Sequence, residues 1–322
     1  MASASRAPRN LRGGLVLLAL LGSVALLAPL LATDAPWLAR SPEGLHAPAL
    51  SRYLGLARAG DAGQQRPLLA APVPHHPQRT NLDAVLRAPS FAHWMGTDAL
   101  GRDIAARVIH GARVSLGVGL LAALFALLVG LPLGAVAGYW GGWTDAAVSR
   151  AIETLLCFPT LLLALAILTG APPGLAGLSD VPRIAIVLGL TGWIPVARYL
   201  RGEFLRLNGS EMVLAARALG SGNLRVIVRH ILPAALAPVL VTAAFAVAGA
   251  IAVEASLSFL GLGVRPPVAT WGGLLADARE QVDRAWWLAL FPGAALFLAL
   301  LGCNLIGEGL RDLLDPRSRS GA

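Results

Sequence analysis

The sequence predicts an all-α integral membrane protein of about six transmembrane helices, from the apolar share of the chain, its concentration in long runs, and the placement of its arginines. Of 322 residues, 56% are apolar and 14% charged, with mean hydropathy +0.67, which leaves too little polar surface to coat a soluble globule of this size. All 26 basic residues are arginine, so no phosphate loop ending in Gly-Lys-Ser/Thr can be written anywhere in the chain. Any ATP used by this protein would be bound by another chain. The formal charge of +8 fits cytoplasmic loops and contact with anionic lipid rather than nucleic acid. Cys157 and Cys303 lie inside apolar runs, where free cysteine acts as a small hydrophobe, so no disulfide framework or cysteine metal site is expected.

Along the chain, residues 1–33 form a tail and a first span. Its apolar run, Gly14 to Ala32, is long enough at about 1.5 Å per residue to cross about 30 Å of hydrocarbon. Arg6, Arg9 and Arg12 precede it and place the N-terminus inside. A cleaved signal peptide has a similar basic flank, but this core is long and lacks a clean small-x-small site at its end. Residues 34–113 are polar and proline-containing, with little periodicity before Leu82, and read as an exported loop of irregular structure. Their nine arginines do not forbid export, because long loops translocate largely regardless of charge.

The core, 114–310, holds five further apolar runs, at 115–138, 155–170, 184–200, 234–262 and 285–305. The run 184–200 carries Gly189, Gly192, Pro195 and Arg198, so a tilted or re-entrant segment is the alternative to a span there. Six spans put both termini on one side, together with the loop 201–233. That loop and its margin hold Arg198, Arg201, Arg206, Arg217, Arg225 and Arg229 against Glu203 and Glu211, as a cytoplasmic loop should. The tail 311–322, with Arg311, Arg317 and Arg319, agrees.

Within this loop, Glu211 to Leu219 is a strong helix former ending at Gly220, a residue suited to the left-handed cap position, and a second short helix begins near Asn223. Small Ala215 and Ala216 would let a partner backbone approach, while Met212, Leu219 and Leu224 offer apolar anchors beside arginines. A basic interfacial helix on anionic lipid would account for the arginines but would not require the glycine or Leu232-Pro233.

The spacing of Ala215-Ala216, Gly220 and Leu232-Pro233 resembles the EAA loop of ABC importer permeases, which forms the coupling helix seated in a groove of the ATPase subunit. Leu214 stands where the generic motif has glutamate and His230 where it has isoleucine. Arg229-His230-Ile231-Leu232-Pro233 instead looks like the dipeptide/oligopeptide/nickel branch, although Ala234 replaces the usual asparagine. The resemblance assigns Glu211, Ala215, Ala216, Arg217, Leu219, Gly220, Arg229, His230, Leu232 and Pro233 to the ATPase-coupling loop.

Two further stretches resemble the second, C-type permease subunit of the same branch. The first runs from His93 through Gly96, Thr97, Asp98, Gly101, Arg102 and Asp103 to Arg107 and Arg113. Asp98 can cap the following helix, and Arg102, Asp103 and Arg107 can pair along it. A metal or catalytic role for His93 with Asp98 and Asp103 is the alternative, but no second histidine sits at ligand spacing on a predicted helix, so no metal site is expected. The second stretch runs from Glu254 to Pro267, followed by Trp271, Trp286 and Trp287. Glu254 is the one acid well inside a predicted span. It either lines the path with Ser256 and Ser258 or pairs with an arginine, or else is a helix-end residue hydrogen-bonded to those serines or a neighbouring subunit. The tryptophans are expected as interfacial anchors.

The resemblance implies an ABC importer type I permease fold that performs no chemistry and binds no cofactor, ATP and Mg lying on partner subunits. Two ABC ATPase subunits, a homologous B-type permease, membrane lipid and an extracytoplasmic solute-binding protein would be its partners, in a bacterial cytoplasmic membrane with both termini cytoplasmic. Gly117, Gly119, Gly130 and Gly134 suit close packing at the permease interface. Peptide, nickel complex and glutathione all remain open as substrate. A secondary transporter would need several ionisable or unwound midplane sites, and an intramembrane enzyme would need a paired nucleophile and base. The spans show neither pattern.

Overall fold

The computed structural model describes residues 9–41, 44–56, 66–170 and 173–314. Arg6, Arg317 and Arg319 lie outside them.

Apolar length dictates the main elements. Helix α1 (Arg9–Leu31) follows the first apolar run. After it come β1 (Leu38–Ser41), β2 (Gly44–His46), α2 (Pro48–Tyr53), β3 (Arg66–Leu69) and a 3-10 turn at Leu82–Ala84. The three strands form an antiparallel sheet in the order β2-β1-β3, with Arg40 opposite Leu45 and Leu38 opposite Leu69. The expectation of irregular structure is therefore corrected for this part of the loop. The strands are three or four residues long and lack clean alternation, so no period marked them.

Helix α3 (Ile104–Trp140) contains the expected span 115–138 and begins three turns before it. Two helices then replace the straight span expected at 155–170. Helices α4 (Gly142–Leu156) and α5 (Thr160–Thr169) are bent by 89° at the intervening break. Pro159, with φ −55°, has no N–H to continue α4 and instead starts α5. After the short α6 (Pro173–Ala176), α7 (Asp180–Asn208) covers the run at 184–200 as a continuous 29-residue helix, despite Pro195.

Helices α8 (Glu211–Ala218) and α9 (Asn223–Arg225) lead into a π-helical turn (Val226–Ile231) and α10 (Leu232–Phe259). The chain closes with α11 (Trp271–Ala278) and α12 (Trp287–Leu314). Among the described residues, five helices are long and apolar enough to cross a membrane, namely α1, α3, α7, the stretch Asn223–Phe259, and α12. The bent pair α4–α5 makes six if it is one span.

Two compact units divide the chain. One comprises Met1–Leu18, Val118–Glu254 and Leu300–Ala322, and the other Ala19–Gly117 and Ala255–Ala299. In the first, a glycine stripe sets the packing of α3 against α7. A Cβ at Gly130 would come within 2.8 Å of the Trp193 carbonyl oxygen and at Gly134 within 2.6 Å of the Ala197 oxygen. Gly119 is likewise filled by Ile251 of its own chain, and a Cβ at Gly117 would meet nothing within 4 Å. The stripe expected to meet a second permease is thus largely used inside this chain, because small residues at helical spacing fit any close helix neighbour.

Candidate functional site

The loop 201–233 is built around α8. Val213 and Ala216, three residues apart, turn inward and join a buried cluster with Val196, Leu200 and Phe204 of α7, Tyr139 of α3 and Val239 of α10. Met212, Leu214, Ala215 and Leu219 remain exposed on the other side. Ala215 is therefore available to a partner, and Ala216 is not.

The helix ends where the sequence says it should. Gly220 has φ +79°, and its N–H donates to the Arg217 oxygen at 2.9 Å while the Ser221 N–H donates to the Ala216 oxygen at 3.0 Å. These are the two bonds of a Schellman cap. Beyond it Leu224 is exposed, Val226 and Ile231 are buried, and Arg229 and Pro233 are exposed, with His230 and Leu232 half-buried.

A polar clamp that the sequence did not reveal fixes this hairpin. The Tyr139 hydroxyl donates to Asn223 Oδ1 at 2.9 Å, and Asn208 Nδ2 donates to the Tyr139 carbonyl oxygen at 3.1 Å. Arg217 donates to Asn208 Oδ1 at 2.6 Å, and its guanidinium lies 5.5 Å from the centre of the Tyr139 ring. One aromatic at the end of α3 thus holds the end of α7, the last turn of α8 and the first residue of α9. The only sequence signal is an aromatic pair, Tyr139-Trp140, before Gly141-Gly142. Arg201 also forms a two-pronged ion pair with Asp145, tying α7 to α4, with one arm at 2.8 Å.

On either side of this hairpin in sequence, α3, α4, α5, α7 and α10 line a cavity of about 770 Å³. Its wall is mostly apolar, with polar groups from Thr160, Thr191, Tyr199 and Thr242, and Arg198 as the one charged residue among those lining it. Glu254, Ser256 and Ser258 do not line this cavity. Glu254 is fully buried and engaged by neighbours, Ser258 is buried and Ser256 exposed. Val253 and Ala250 take the positions on α10 that face this cavity.

The stretch from Gly96 to Asp103 is a folded knot of hydrogen bonds. Gly96 and Gly101 have φ +73° and +69° in its turns. Asp98 Oδ1 accepts from the Leu100 and Arg102 amides at 2.8 and 2.9 Å, while Oδ2 takes Arg102 Nε at 2.7 Å and Arg107 Nη1 at 2.5 Å. The cap of α3 is Asp103, whose Oδ1 accepts from Ala106 N at 2.8 Å, and not Asp98 as expected. Asp277 completes the network at 3.1 Å from Arg107.

The tryptophans also depart from expectation. Trp271 is fully buried, its Nε1 donating to the Val108 oxygen at 3.1 Å, and buried Trp287 donates to the Thr97 oxygen at 3.1 Å. Only Trp286 of the three is exposed as an anchor would be. A buried indole needs a partner for its N–H, and both partners lie more than 160 positions away in the chain, beyond the reach of local sequence reading.

A family model described as the inner membrane component of binding-protein-dependent transport systems matches residues 130–320. The chain is 44% identical to the dipeptide transport permease DppC of Alkalihalophilus pseudofirmus, over 75% of this chain and 77% of that one. The chain belongs to this permease family. It groups with the C-type permeases of the dipeptide/oligopeptide branch, being also 40% identical to the oligopeptide permease OppC of Bacillus subtilis over 74% of this chain and 77% of that one. The glutathione permease GsiD of Pectobacterium atrosepticum is 38% identical over the same shares. The fold of this permease matches a chain of the MetNI methionine ABC transporter, solved facing inward, with TM-score 0.52 at 18% identity over 66% of this chain and 98% of that one. It is therefore a transport permease component with a type I ABC importer fold, and nothing in these relatives favours a secondary transporter.

Proposed function

We propose that this permease forms one half of the path of an ATP-driven importer of di- or oligopeptides. A homologous B-type permease would supply the other half. Two separate ABC ATPase subunits, which bind ATP and Mg, would drive it, and an extracytoplasmic binding protein would deliver the solute. The observation that carries this reading is α8, a short helix closed by the Gly220 turn, anchored inward by Val213 and Ala216 and presenting Met212, Leu214, Ala215 and Leu219 to a partner. Such an apolar face suits the groove of an ATPase subunit, and the likeness to dipeptide and oligopeptide permeases supports the substrate class.

Topology follows from the same placement. With the N-terminus in the cytoplasm, the loop between α7 and α10 also reaches the cytoplasm only if α4–α5 crosses the membrane as one broken span. The arginines around that loop favour this arrangement, which puts the C-terminus on the same side. The chain itself would bind no cofactor. ATP would act through differential contact of the ATPases with α8 in two states of the permease, and the cavity beside Arg198 would open to either side in turn.

The test is reconstitution. Proteoliposomes carrying this permease, its companion permease and both ATPases, supplied with binding protein, should accumulate labelled peptide only with ATP. Ala215→Trp should abolish uptake while leaving the permease inserted at normal levels. Normal uptake by that variant, or peptide transport by this chain alone, would overturn the proposal.

A further inference from the structure

The importer reading leaves a cluster in the second unit unused. His75, in the segment after β3, and His93 stack with ring centroids 4.5 Å apart and planes 24° from parallel. His93 Nδ1 is 2.8 Å from Asp103 Oδ2, and His75 Nε2 is 4.0 Å from the same oxygen. One donor atom from each of the three lies within 4.8 Å of the other two. Side-chain exposure falls from 32% at His75 through 12% at His93 to 2% at Asp103, so the cluster is a shallow funnel with a carboxylate at its floor.

We propose that these three side chains form a binding site for a divalent transition-metal ion of the zinc type. A His–Asp hydrogen bond accounts for His93 alone. The second imidazole, held by a 2.9 Å contact between its Nε2 and the Ala92 carbonyl oxygen, stacks on the first and brings that same nitrogen to 4.0 Å from the carboxylate oxygen, so both rings present a nitrogen to Asp103. Two imidazoles and one carboxylate suit Zn, Ni or Cu, whereas Ca and Mg prefer oxygen-only shells. In a tetrahedral zinc site with bonds of about 2.0 to 2.2 Å, ligand atoms lie about 3.4 Å apart. The 2.8 Å separation would open by about 0.6 Å and the 4.0 Å separation close by about 0.6 Å, and the remaining one, at most 4.8 Å, would close with them through side-chain rotation.

The ion would take the place of the His93 Nδ1–Asp103 hydrogen bond, with the neutral ring carrying its proton on Nε2. His75 Nε2 would exchange its 2.9 Å contact with the Ala92 carbonyl oxygen for the metal, leaving that oxygen or a water for the fourth position. Nearby arginines do not compete for Asp103, because Arg102 and Arg107 are engaged by Asp98 and Asp277. The N-terminus of α3, which already draws on Asp103 Oδ1, lowers the affinity. A bound ion would pin the segment after β3 and the stretch around His93 to the first turn of α3, joining points 18 and 10 positions apart in the chain.

The experiment uses the full chain in its assembled transporter, purified on a tag without histidine and stripped with chelator. Zn2+ titrated against a chromogenic competitor should show one ion per chain with a Kd of about 1 μM, weaker than a closed four-ligand site. His75→Ala and His93→Ala should each weaken binding at least about 10-fold, while His76→Ala and His110→Gln, at neighbouring imidazoles outside the cluster, should not. Asp103→Ser, which can keep the helix cap, should also lose the ion. His75→Ala sits on a half-exposed loop position, so its metal-free thermal unfolding should equal that of the parent, and the rise in midpoint that Zn2+ gives the parent should vanish. Absence of stoichiometric binding, undiminished affinity in His75→Ala, or an equal loss in His76→Ala would overturn the site.

Discussion

Replacing Gly220 tests the cap of α8 with little interference from packing. Its φ of +79° lies in the left-handed region, and a Cβ there would meet nothing within 4 Å. Any penalty is therefore backbone strain, about 1–2 kcal/mol for an ordinary L-residue, which lowers the population of the native turn by about 5- to 30-fold relative to relaxed alternatives. Relaxing the turn would break the 2.9 Å and 3.0 Å bonds from Gly220 and Ser221 and displace Leu219, the most exposed apolar group of the hairpin. Asparagine tolerates this region and a β-branched residue does not. In proteoliposomes holding the complete transporter, Gly220→Val should reduce peptide taken up per ATP hydrolysed by about 10-fold, and Gly220→Asn by no more than about 2-fold. Insertion of both should match the parent, since the turn lies outside the spans. Equal coupling in the valine and asparagine proteins would refute the reasoning.

Asp98→Asn should destabilise the second unit by about 3–5 kcal/mol, because Arg107 stays buried with only the half-exposed Asp277 to meet its charge. Thermal unfolding of the detergent-solubilised permease, or protease sensitivity of the segment before α3, would register it. Gly134→Leu should cost about 1–3 kcal/mol by forcing α3 away from the Ala197 oxygen, 2.6 Å from the new Cβ, whereas Gly117→Leu on the same helix should be tolerated. A comparison of folded yield and unfolding midpoint between these two leucine variants checks the claim.

What the sequence disclosed follows from the range over which each signal acts. Apolar length reports on lipid, so the spans at 115–138, 184–200, 234–262 and 285–305 lie within or largely within helices of the fold. The 155–170 run failed as a straight span because length says nothing of direction, and Pro159 turns the chain there. Gly220 was legible because a C-terminal cap is a local device. Ala216 was placed with Ala215 on the partner face, but neighbours on a helix differ by about 100° in direction, and only the buried cluster shows that Ala216 turns inward. Trp271, Trp287, the Tyr139 clamp and His75 depend on partners far away in the chain, which neither period nor motif encodes. Glycines at four-residue spacing announced close packing of α3, but the spacing is silent on whether the neighbour is α7 or another subunit.

The same stripe constrains how force on α8 could reach the cavity. Gly130, Gly134 and Gly138 bring α3 so close to α7 that a Cβ at any of them would lie within 2.8 Å of the Trp193, Ala197 or Arg201 carbonyl oxygen. Tyr139 then binds the ends of both helices to Arg217 and Asn223 of the hairpin. A push on α8 cannot slide α7 past α3 without breaking that clamp and opening the stripe, so the pair must move as one body. The cavity wall contains residues of this pair, including Arg198 and Tyr199, facing Thr242 and Val253 of α10. Among the described residues, the face between the pair and α10 is held by side-chain packing, including Val239 against Val196 and Leu200, with a glycine contact only at Gly119 and Ile251. Under the importer reading, side-chain packing can re-form after a shift where the glycine contacts cannot, so α3–α7 would rock against α10 with the hairpin as lever.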